Sequence, residues 1–427
     1  MLDMTVFIQY PASRILIGGY AEMLVLVVNA GSSSLKYQLI DMSNEQVLAK
    51  GIAERIGCKD ASLTHETTGK RKTTTKADIP NHTAAMQLVA GALTDPATGP
   101  ISNVSEISAI GHRVVHGGES FSDSVLIDQK VIDIVTNLSQ LAPLHNPPNL
   151  MGIEAAMLLV PEAPQIAVFD TAFHHTIPPH AYIYALPYEL YLEHGIRRYG
   201  FHGTSHKYVA SRAQKVLEER GVPKDNQKIV TCHLGNGVSF TAVKGGKSVD
   251  TSMGLTPVEG LVMGTRCGDI DPAIIPFLEK ELDYSADDID NLMNKKSGLL
   301  GVSGISNDMR DIRSNAENGH ERSKLALAIF CYRAKKYIGA YAAAMGGLDA
   351  IVFTAGIGEH ESHVRAAICE GLEFLGIKID PNKNADCHHE CDISVDNDGA
   401  RVLVIPTNEE LAIARETVRV VSGGNDK

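Results

Sequence analysis

The residues best suited to chemistry are an asparagine, three serines and a lysine packed into eight positions, Asn29-Ala-Gly-Ser-Ser-Ser-Leu-Lys36. An apolar run, Leu24–Val28, leads into them, and apolar/polar alternation resumes after them, so the pattern predicts strand, tight turn, strand. The hydroxyls of Ser32 and Ser34 and the backbone N–H groups freed at a turn can face an anion. Lys36 adds a point charge. Asn29 offers a side-chain oxygen of the kind that holds a hydrated Mg²⁺, and Gly31 is expected to permit the turn.

Four further stretches carry charge at strand or helix ends. Gly111-His-Arg-Val-Val-His-Gly-Gly118 sets Arg113 among glycines, where a guanidinium can grip a carboxylate or phosphate through two parallel hydrogen bonds; the alternative is a structural ion pair. Gln165-Ile-Ala-Val-Phe-Asp170 reads as a buried strand with an acid at its C-terminal end, where open α/β sheets bind ligands. His202 precedes a helix expected from about Thr204 to Glu219, and Arg197 and Arg198 stand close by in sequence. A helix N-terminus with such neighbours suits an anion, although a capping histidine explains His202 equally well. Arg266 lies in Gly264-Thr-Arg-Cys-Gly-Asp-Ile-Asp-Pro272, either reaching for a ligand or neutralised by Asp269 or Asp271.

The elements that must position these residues repeat. Lys228–Val243 is again strand, glycine-containing turn (Gly235-Asn-Gly237) and strand, and a third strand follows through Asp250. Two copies of one supersecondary unit therefore stand about 200 residues apart. Two hairpin-led α/β halves are expected, their phosphate-binding tips turned to a shared cleft. Gly245-Gly-Lys-Ser248 imitates the end of a P-loop, but Thr241 stands where a glycine is required. Asp349–Glu359 reads as a buried strand ending in Gly356 and Gly358, bare backbone against which a nucleotide could lie. Ala142–Pro148 reads as rigid and extended, because each proline disfavours helix in the residue before it, and it carries His145. Ser303–Arg310 turns into a helix capped by Asn307 or Asp308. Thr407 and Glu410 form a capping-box pattern, which leaves the Glu409 carboxylate available for Mg²⁺.

Composition narrows the field. The chain has 427 residues, 44% hydrophobic and 21% charged, enough for two or three domains. Its net charge of −12 argues against nucleic acid or an anionic membrane as main partner. Seven scattered cysteines do not form a disulfide framework, which points to a reducing, cytoplasmic setting. Cys387-His-His-Glu-Cys391 has metal-ligand residue types but reads as a polar loop rather than a zinc site. Residues 1–22 read as an appendage before a fold that begins at Met23, and deleting residues 2–22 should change stability and activity little.

Five of these motifs in this order resemble the acetokinase family, within the acetate and sugar kinase/Hsp70/actin superfamily. They are Asn29–Lys36, His112–Gly118, Phe169–His174, His233–Gly237 and Gly264–Pro272. The resemblance runs from about Met23 to the C-terminal helix. It implies an α/β fold of two duplicated ribonuclease H-like (actin/Hsp70-type) domains flanking a catalytic cleft. The first domain would be 23–172 completed by 408–427, and the second, nucleotide-binding, 173–407. It implies phosphoryl transfer from ATP to acetate, giving acetyl phosphate and ADP, with Mg²⁺ (Mn²⁺ as a substitute), in a cytoplasmic homodimer that closes on its ligands.

The same resemblance implies residue roles. Asn29 and Glu409 lie around Mg²⁺, and Ser32, Ser34 and Lys36 near the nucleotide phosphates. Arg113 binds the substrate carboxylate, with His145 nearby. Asp170 is the acid the family assigns to catalysis. An acetate carboxylate is already ionised at neutral pH, so Asp170 is expected to organise Mg²⁺ or Arg266 rather than take a proton. His202 and Arg266 stabilise the transferring group. His233, Leu234, Gly235, Asn236, Gly237, Asp308, Met309, Arg310, Gly356, Ile357, Gly358, Glu359 and His360 surround the nucleotide; the family usually has Asn where this chain has His360. Val115, Leu144, Phe201 and Pro257 wall an apolar cup for one methyl group, and valine at 115 favours acetate over propionate. The alternatives are a propionate kinase and a non-catalytic nucleotide-binding module.

Overall fold

The computed structural model describes residues 23–396 and 399–424. The appendage expected at residues 1–22 lies outside the described residues. The chain divides into two compact units, one of residues up to 172 together with the chain from 408, the other of residues 173–407.

Among the described residues the first unit carries an eight-stranded mixed sheet. Its strands are β1 (Leu24–Gly31), β2 (Ser34–Asp41), β3 (Gln46–Glu54), β4 (Ser62–Thr67), β5 (Thr73–Lys76), β6 (Ala109–Val114), β7 (Val125–Leu126) and β8 (Gln165–Phe169). The order across the sheet is β5-β4-β3-β2-β1-β6-β8-β7. β1 is antiparallel to β2 but parallel to β6, which is parallel to β8. A strand so placed is covered on both faces, which is why β1 reads as a continuous apolar run. Leu26 and Val28 face a core closed by the helices His82–Leu93 and Asn146–Leu159, while Val25 and Val27 face the helix Glu409–Val421. That last helix sits hard on β6. A Cβ on Gly111 would come within 2.3 Å of Thr417 Oγ1 and 2.8 Å of Ile413 Cγ2, so only glycine lets it dock. The Thr/Lys-rich β5 is exposed at the sheet edge, as edge strands that resist aggregation are.

The second unit repeats the plan with β9 (Lys228–Leu234), β10 (Val238–Lys244), β11 (Lys247–Thr251), β12 (Ala350–Thr354), β13 (Cys391–Asp392) and β14 (Arg401–Val404), in the order β11-β10-β9-β12-β14-β13. The five strands β11-β10-β9-β12-β14 match β3-β2-β1-β6-β8 in order and direction. The helix Gly203–Glu219 covers one face through Val209, Ala213 and Leu217, and the helix Glu321–Met345 also packs on β9 and β10. The two sheets bear out the duplicated, mixed α/β reading. Gly245 and Gly246, both at positive φ, make the β10–β11 turn, so the P-loop imitation is a hairpin.

Several local expectations are corrected. Asn146–Pro148 are helical, not extended. The prolines occupy the first turn, whose N–H groups have no intrahelical partner to lose. β6 begins at Ala109, after Asn103 and Glu106, which are held in a capped 3₁₀ turn. His112 and Arg113 therefore lie within a strand rather than at its exit. Gly356 and Gly358 belong to a short helix, Ala355–His360. The last helix is capped by Asn408, whose side chain accepts from Leu411 N, not by Thr407 with Glu410. Gly31 does not turn the chain with a positive φ; it pairs with Ser34 and leaves the turn to Ser32 and Ser33. Cys387 and Cys391 form a disulfide, where reduced thiols were expected, and Cys58, Cys232, Cys267, Cys331 and Cys369 are free.

Candidate active site

In the first unit, four adjacent strands, β2, β1, β6 and β8, bring Lys36, Asn29, Arg113 and Asp170 to one end of the sheet. Asn29 near the end of β1 lies directly opposite Lys36 on β2, so both side chains share a face. Arg113 stands on β6, and Asp170 follows β8. Arg113 meets Asp170 side-on: Nη2 donates to Oδ2 at 2.5 Å and Nε to Oδ1 at 3.2 Å. Its remaining nitrogen, Nη1, donates to Asn29 Oδ1 at 3.5 Å. Asp170 is fully buried. Burial opposes the charge on Arg113, but Asp170 and Glu409 outweigh it and hold the guanidinium protonated. Asp170 thereby holds the Arg113 guanidinium by two of its nitrogens. The ion pair uses one edge of the guanidinium and leaves the Nη1 side turned toward Asn29.

Glu409 opens the last helix. Burial raises its carboxyl to about 7; Arg113 works against the shift, and Asp170 and Glu410 add to it. Glu409 is half-buried, and a carboxylate is a donor type that suits a hard cation, as is the side-chain oxygen of Asn29, which accepts from Arg113. Among the described residues no group of three His, Cys, Asp or Glu side chains could hold a metal. His145 caps the helix Asn146–Leu159, Ser32 and Lys36 are exposed, and Ser34 is half-buried. Val115 is buried, and Leu144 is 55% exposed.

Sequence reasoning missed the two amides that shape this end of the sheet. Asn149 accepts from Val115 N at 3.0 Å and donates to Ala30 O at 2.7 Å, tying β1 to the segment after β6. Asn146 accepts from His116 N and donates to its carbonyl. The two stand three residues apart on one helix, and that spacing was the available signal.

In the second unit, His202 caps the helix Gly203–Glu219 with φ of 55°, a left-handed conformation that a non-glycine residue keeps only when its surroundings impose it. Its ring stacks on that of His233, with centroids 4.1 Å apart. His233 Nδ1 is 2.8 Å from Ser205 Oγ, which donates to Thr407 Oγ1. Arg266 Nη1 donates to Pro257 O at 3.1 Å and to Met263 Sδ at 3.5 Å. Asp269, which could have neutralised it, instead meets Arg333 at 3.2 Å and accepts from Tyr337 at 2.7 Å, and Asp271 caps Ala273 N. Among the described residues no carboxylate pairs with Arg266, and burial pulls its pKa below the ordinary value. Gly237 shows where Arg266 and His202 converge. A Cβ there would lie 3.3 to 3.4 Å from His202 Cε1 and Nε2 and 3.4 Å from Arg266 Nη1.

The remaining nucleotide candidates line up around that turn. Asn236 O accepts from Gly264 N, and Asn236 Oδ1 accepts from Asn307 Nδ2 at 3.0 Å, which pins Gly235–Gly237. Leu234 is buried in β9. Asp308 caps the helix Met309–Glu317, with Met309 buried, and Arg310 wraps back onto it at 2.6 Å; that bond lowers the Asp308 carboxyl to about 2. In the helix Ala355–His360, Ile357 is half-buried and His360 exposed. Glu359 Oε1 accepts from Thr407 N at 3.2 Å. Arg365, buried and missed from sequence, donates to Gly358 O, Glu359 O and both oxygens of Asn384, a clamp on the whole segment. Phe201 is buried, its carbonyl accepting from His174, and Pro257 is half-buried.

A family model, the acetokinase family, matches residues 24–415. The chain belongs to the acetokinase family. It is 57% identical over 399 residues to the acetate kinase of Halothermothrix orenii, covering 93% of this chain and 100% of that one. It is equally identical, over 399 residues, to the acetate kinase of Methanosarcina thermophila. Among solved structures, the acetate kinase of Porphyromonas gingivalis superposes with a TM-score of 0.89 at 48% identity, covering 93% of this chain and all of that one. A propionate kinase from Francisella tularensis follows at 0.86 and 44%, covering 92% and 99%. The expectation drawn from the five motifs is thereby met. Among the described residues no helix is long and apolar enough to cross a membrane.

Two predictions arise here. Gly356 is exposed, and a Cβ on it would meet nothing within 4 Å. Gly356→Ala should therefore leave the unfolding free energy unchanged or raise it by about 0.5–1 kcal/mol, while raising the nucleotide KM. An unchanged KM would mean that no ligand lies on this backbone. The second concerns acid. Burial holds His112, His116 and His174 down to about 4, and His206 well below its ordinary value. Each is neutral when folded and binds a proton when unfolded, between about pH 6.5 and 4. Stability is therefore complete above pH 6.5 and falls as pH drops, by up to about 1.4 kcal/mol per histidine per pH unit. Equal urea midpoints at pH 7 and pH 5 would contradict this.

Proposed function

We propose that the protein catalyses reversible transfer of the γ-phosphoryl group of ATP to acetate, giving ADP and acetyl phosphate by direct in-line displacement. The observation that carries the reading is Arg266: a partly buried guanidinium with no carboxylate partner among the described residues, meeting His202 at the bare backbone of Gly237. A transferring phosphoryl group spreads negative charge over its oxygens and asks for positioned positive charge rather than covalent help. Arg266 would supply fixed charge and His202 a hydrogen bond.

Arg113, oriented by Asp170, would hold the acetate carboxylate through the Nη1 side of its guanidinium. Because that carboxylate is the nucleophile and already ionised, Asp170 need not act as a base. Asn29 and Glu409 would hold Mg²⁺, or Mn²⁺ in its place, and the bound ion supplies charge neutralisation to the phosphates. Ser32, Ser34, Lys36, the Gly235–Gly237 turn, Asp308–Arg310 and Gly356–His360 would receive the nucleotide, and Val115, Leu144, Phe201, Pro257 and His145 would border the acid. ATP as donor argues for a cytoplasmic enzyme.

The propionate kinase relative keeps a longer acid in view as the second reading. Valine at 115, buried against the Asn149 amide, argues for the shorter one, and one methylene discriminates by about 1–3 kcal/mol. The test is ADP release from Mg-ATP with acetate, propionate or butyrate, the acyl phosphate trapped with hydroxylamine. Fastest trapping with acetate supports the reading, and fastest trapping with propionate replaces the substrate. ATP binding with no acyl phosphate would leave a nucleotide-binding module.

We further propose a homodimer. The helix Ile274–Leu282 buries none of its residues, and Ile270, Ile274, Ile275, Phe277 and Leu282 are exposed around it. So large an apolar surface calls for a cover, and a monomer mass by analytical ultracentrifugation would remove the idea.

A further inference from the structure

One guanidinium gathers the stretch of chain that leads to Arg266. Arg198 Nη1 donates to three successive carbonyls, Thr251 O at 2.6 Å, Ser252 O at 3.1 Å and Met253 O at 3.4 Å. Its Nη2 donates to Glu259 Oε1 at 2.7 Å. The other carboxylate oxygen, Oε2, accepts from the Tyr184 hydroxyl, and that hydroxyl accepts in turn from Leu255 N at 2.9 Å. Arg198, Tyr184 and Glu259 are half-buried.

Each of these bonds has one direction. A guanidinium and a backbone N–H can only donate, and a carbonyl or carboxylate oxygen can only accept. The Tyr184 oxygen receives the Leu255 proton and gives its own to Glu259. Burial, and then the Glu259 charge, push the Tyr184 hydroxyl up from its ordinary pKa, so it keeps the proton that it donates. Burial opposes the charge on Arg198, but Glu259 is foremost among the groups that outweigh it.

Together the bonds fold residues 251–259 into a compact loop. They tie its entry, Thr251–Met253, to its exit at Glu259, and its middle, Leu255, to the same carboxylate. Within the loop Gly254 N donates to Thr256 O at 3.2 Å, and Gly254 O accepts from Tyr199 N at 3.0 Å. A Cβ on Gly254 would stand 1.7 Å from Glu259 Oε2 and 2.2 Å from Tyr184 Oη, so only glycine lets the loop close over the carboxylate. Pro257 lies two residues before Glu259, and its carbonyl accepts from Arg266 Nη1 at 3.1 Å.

We propose that Tyr184, Glu259 and Arg198 are positioning residues that fix the Pro257 carbonyl and through it aim the Arg266 guanidinium. This rests on the reading that Arg266 meets the transferring phosphoryl group. Among the described residues no carboxylate pairs with Arg266, and besides Pro257 O its guanidinium meets the Met263 sulfur at 3.5 Å, a weak acceptor. Its direction therefore follows the loop that carries Pro257. A displacement of about 1 Å in a charge of this kind costs about a hundredfold in rate, so a hydroxyl remote from the reacting atoms can govern kcat.

The test is Tyr184→Phe in the full chain, made both in the wild type and in Arg266→Ala. Phenylalanine keeps the ring and removes the oxygen that joins Leu255 to Glu259. In the wild-type background kcat should fall about tenfold or more. The acetate KM should stay within about twofold, because Arg113 belongs to the other unit. In the Arg266→Ala background the same substitution should change kcat by less than about twofold, since a residue that acts through another loses its effect when that other is gone. Glu259→Gln, whose amide presents one accepting oxygen to two donors, should repeat the pattern. An unchanged kcat in Tyr184→Phe and Glu259→Gln overturns the proposal. So do equal losses with and without Arg266, which is what a residue that merely holds the fold would give. Either result leaves the phosphoryl reading standing. A kcat in Arg266→Ala within tenfold of wild type overturns the phosphoryl reading and, with it, the catalytic consequence of the loop.

Discussion

Arg266→Ala is expected to lower kcat by about three orders of magnitude while the acetate KM moves only a few-fold. Among the described residues the guanidinium donates to the Pro257 carbonyl and the Met263 sulfur and pairs with no carboxylate. Its removal strands no buried carboxylate, so the urea midpoint should hardly change. That combination, a large kinetic loss at little structural cost, is what a charge kept for the transition state predicts. Arg266→Lys should recover little, since an ammonium cannot span two phosphoryl oxygens in one plane. A kcat within tenfold of wild type would place the phosphoryl group elsewhere.

Arg113 should behave in the opposite way. Arg113→Ala leaves the Asp170 carboxylate fully buried beside Glu409 with its bidentate partner gone. Breaking one side of a buried pair costs about 3–5 kcal/mol. The acetate KM should also rise by about two orders of magnitude, because the ground-state carboxylate loses its grip. Under the proposed mechanism, in which Asp170 orients Arg113 and takes no proton, Asp170→Asn should lower kcat by an amount that is flat in pH; a loss that tracks a carboxylate titration would contradict this. The double variant Arg113→Met with Asp170→Leu separates the two effects. It should regain much of the lost stability, since neither charge remains to be buried alone, yet stay without activity. A double variant as unstable as the sum of the singles would show that the pair is not the source of the cost.

These contrasts mark how far the sequence could be read. Arg113 and Asp170 are each visible in it, because glycines flank the one and a five-residue apolar strand precedes the other. Their ion pair is not, since it forms across parallel strands from residues 57 positions apart, and only the register of β6 on β8 brings them level. The strands themselves were legible because burial on both faces leaves unbroken apolar runs. Pro147 and Pro148 misled because proline breaks a helix at every position except its start, and the start was the position in question. The buried hydrogen bonds of His206 with Ser239 and Thr231 left no local trace: serine and threonine inside strands are ordinary, and the histidine comes from a helix that precedes both strands. The match to the acetokinase family rests on motif order, which survives where single residues are ambiguous.

The last helix carries a consequence for how the protein is made. Glu409–Val421 belongs to the first unit, where Ile413, Ala414 and Val418 close the face formed by Val25, Val27, Ile166 and Val168. A ribosome delivers those three side chains only after all of the second unit has been synthesised. Until then the first unit emerges with an apolar sheet face open and with Gly111 uncovered, a surface prone to aggregate. The second unit, whose residues are contiguous, has no such wait. The half made first is therefore finished last, and a chain truncated within the helix Glu409–Val421 should fail in the domain that was synthesised earliest.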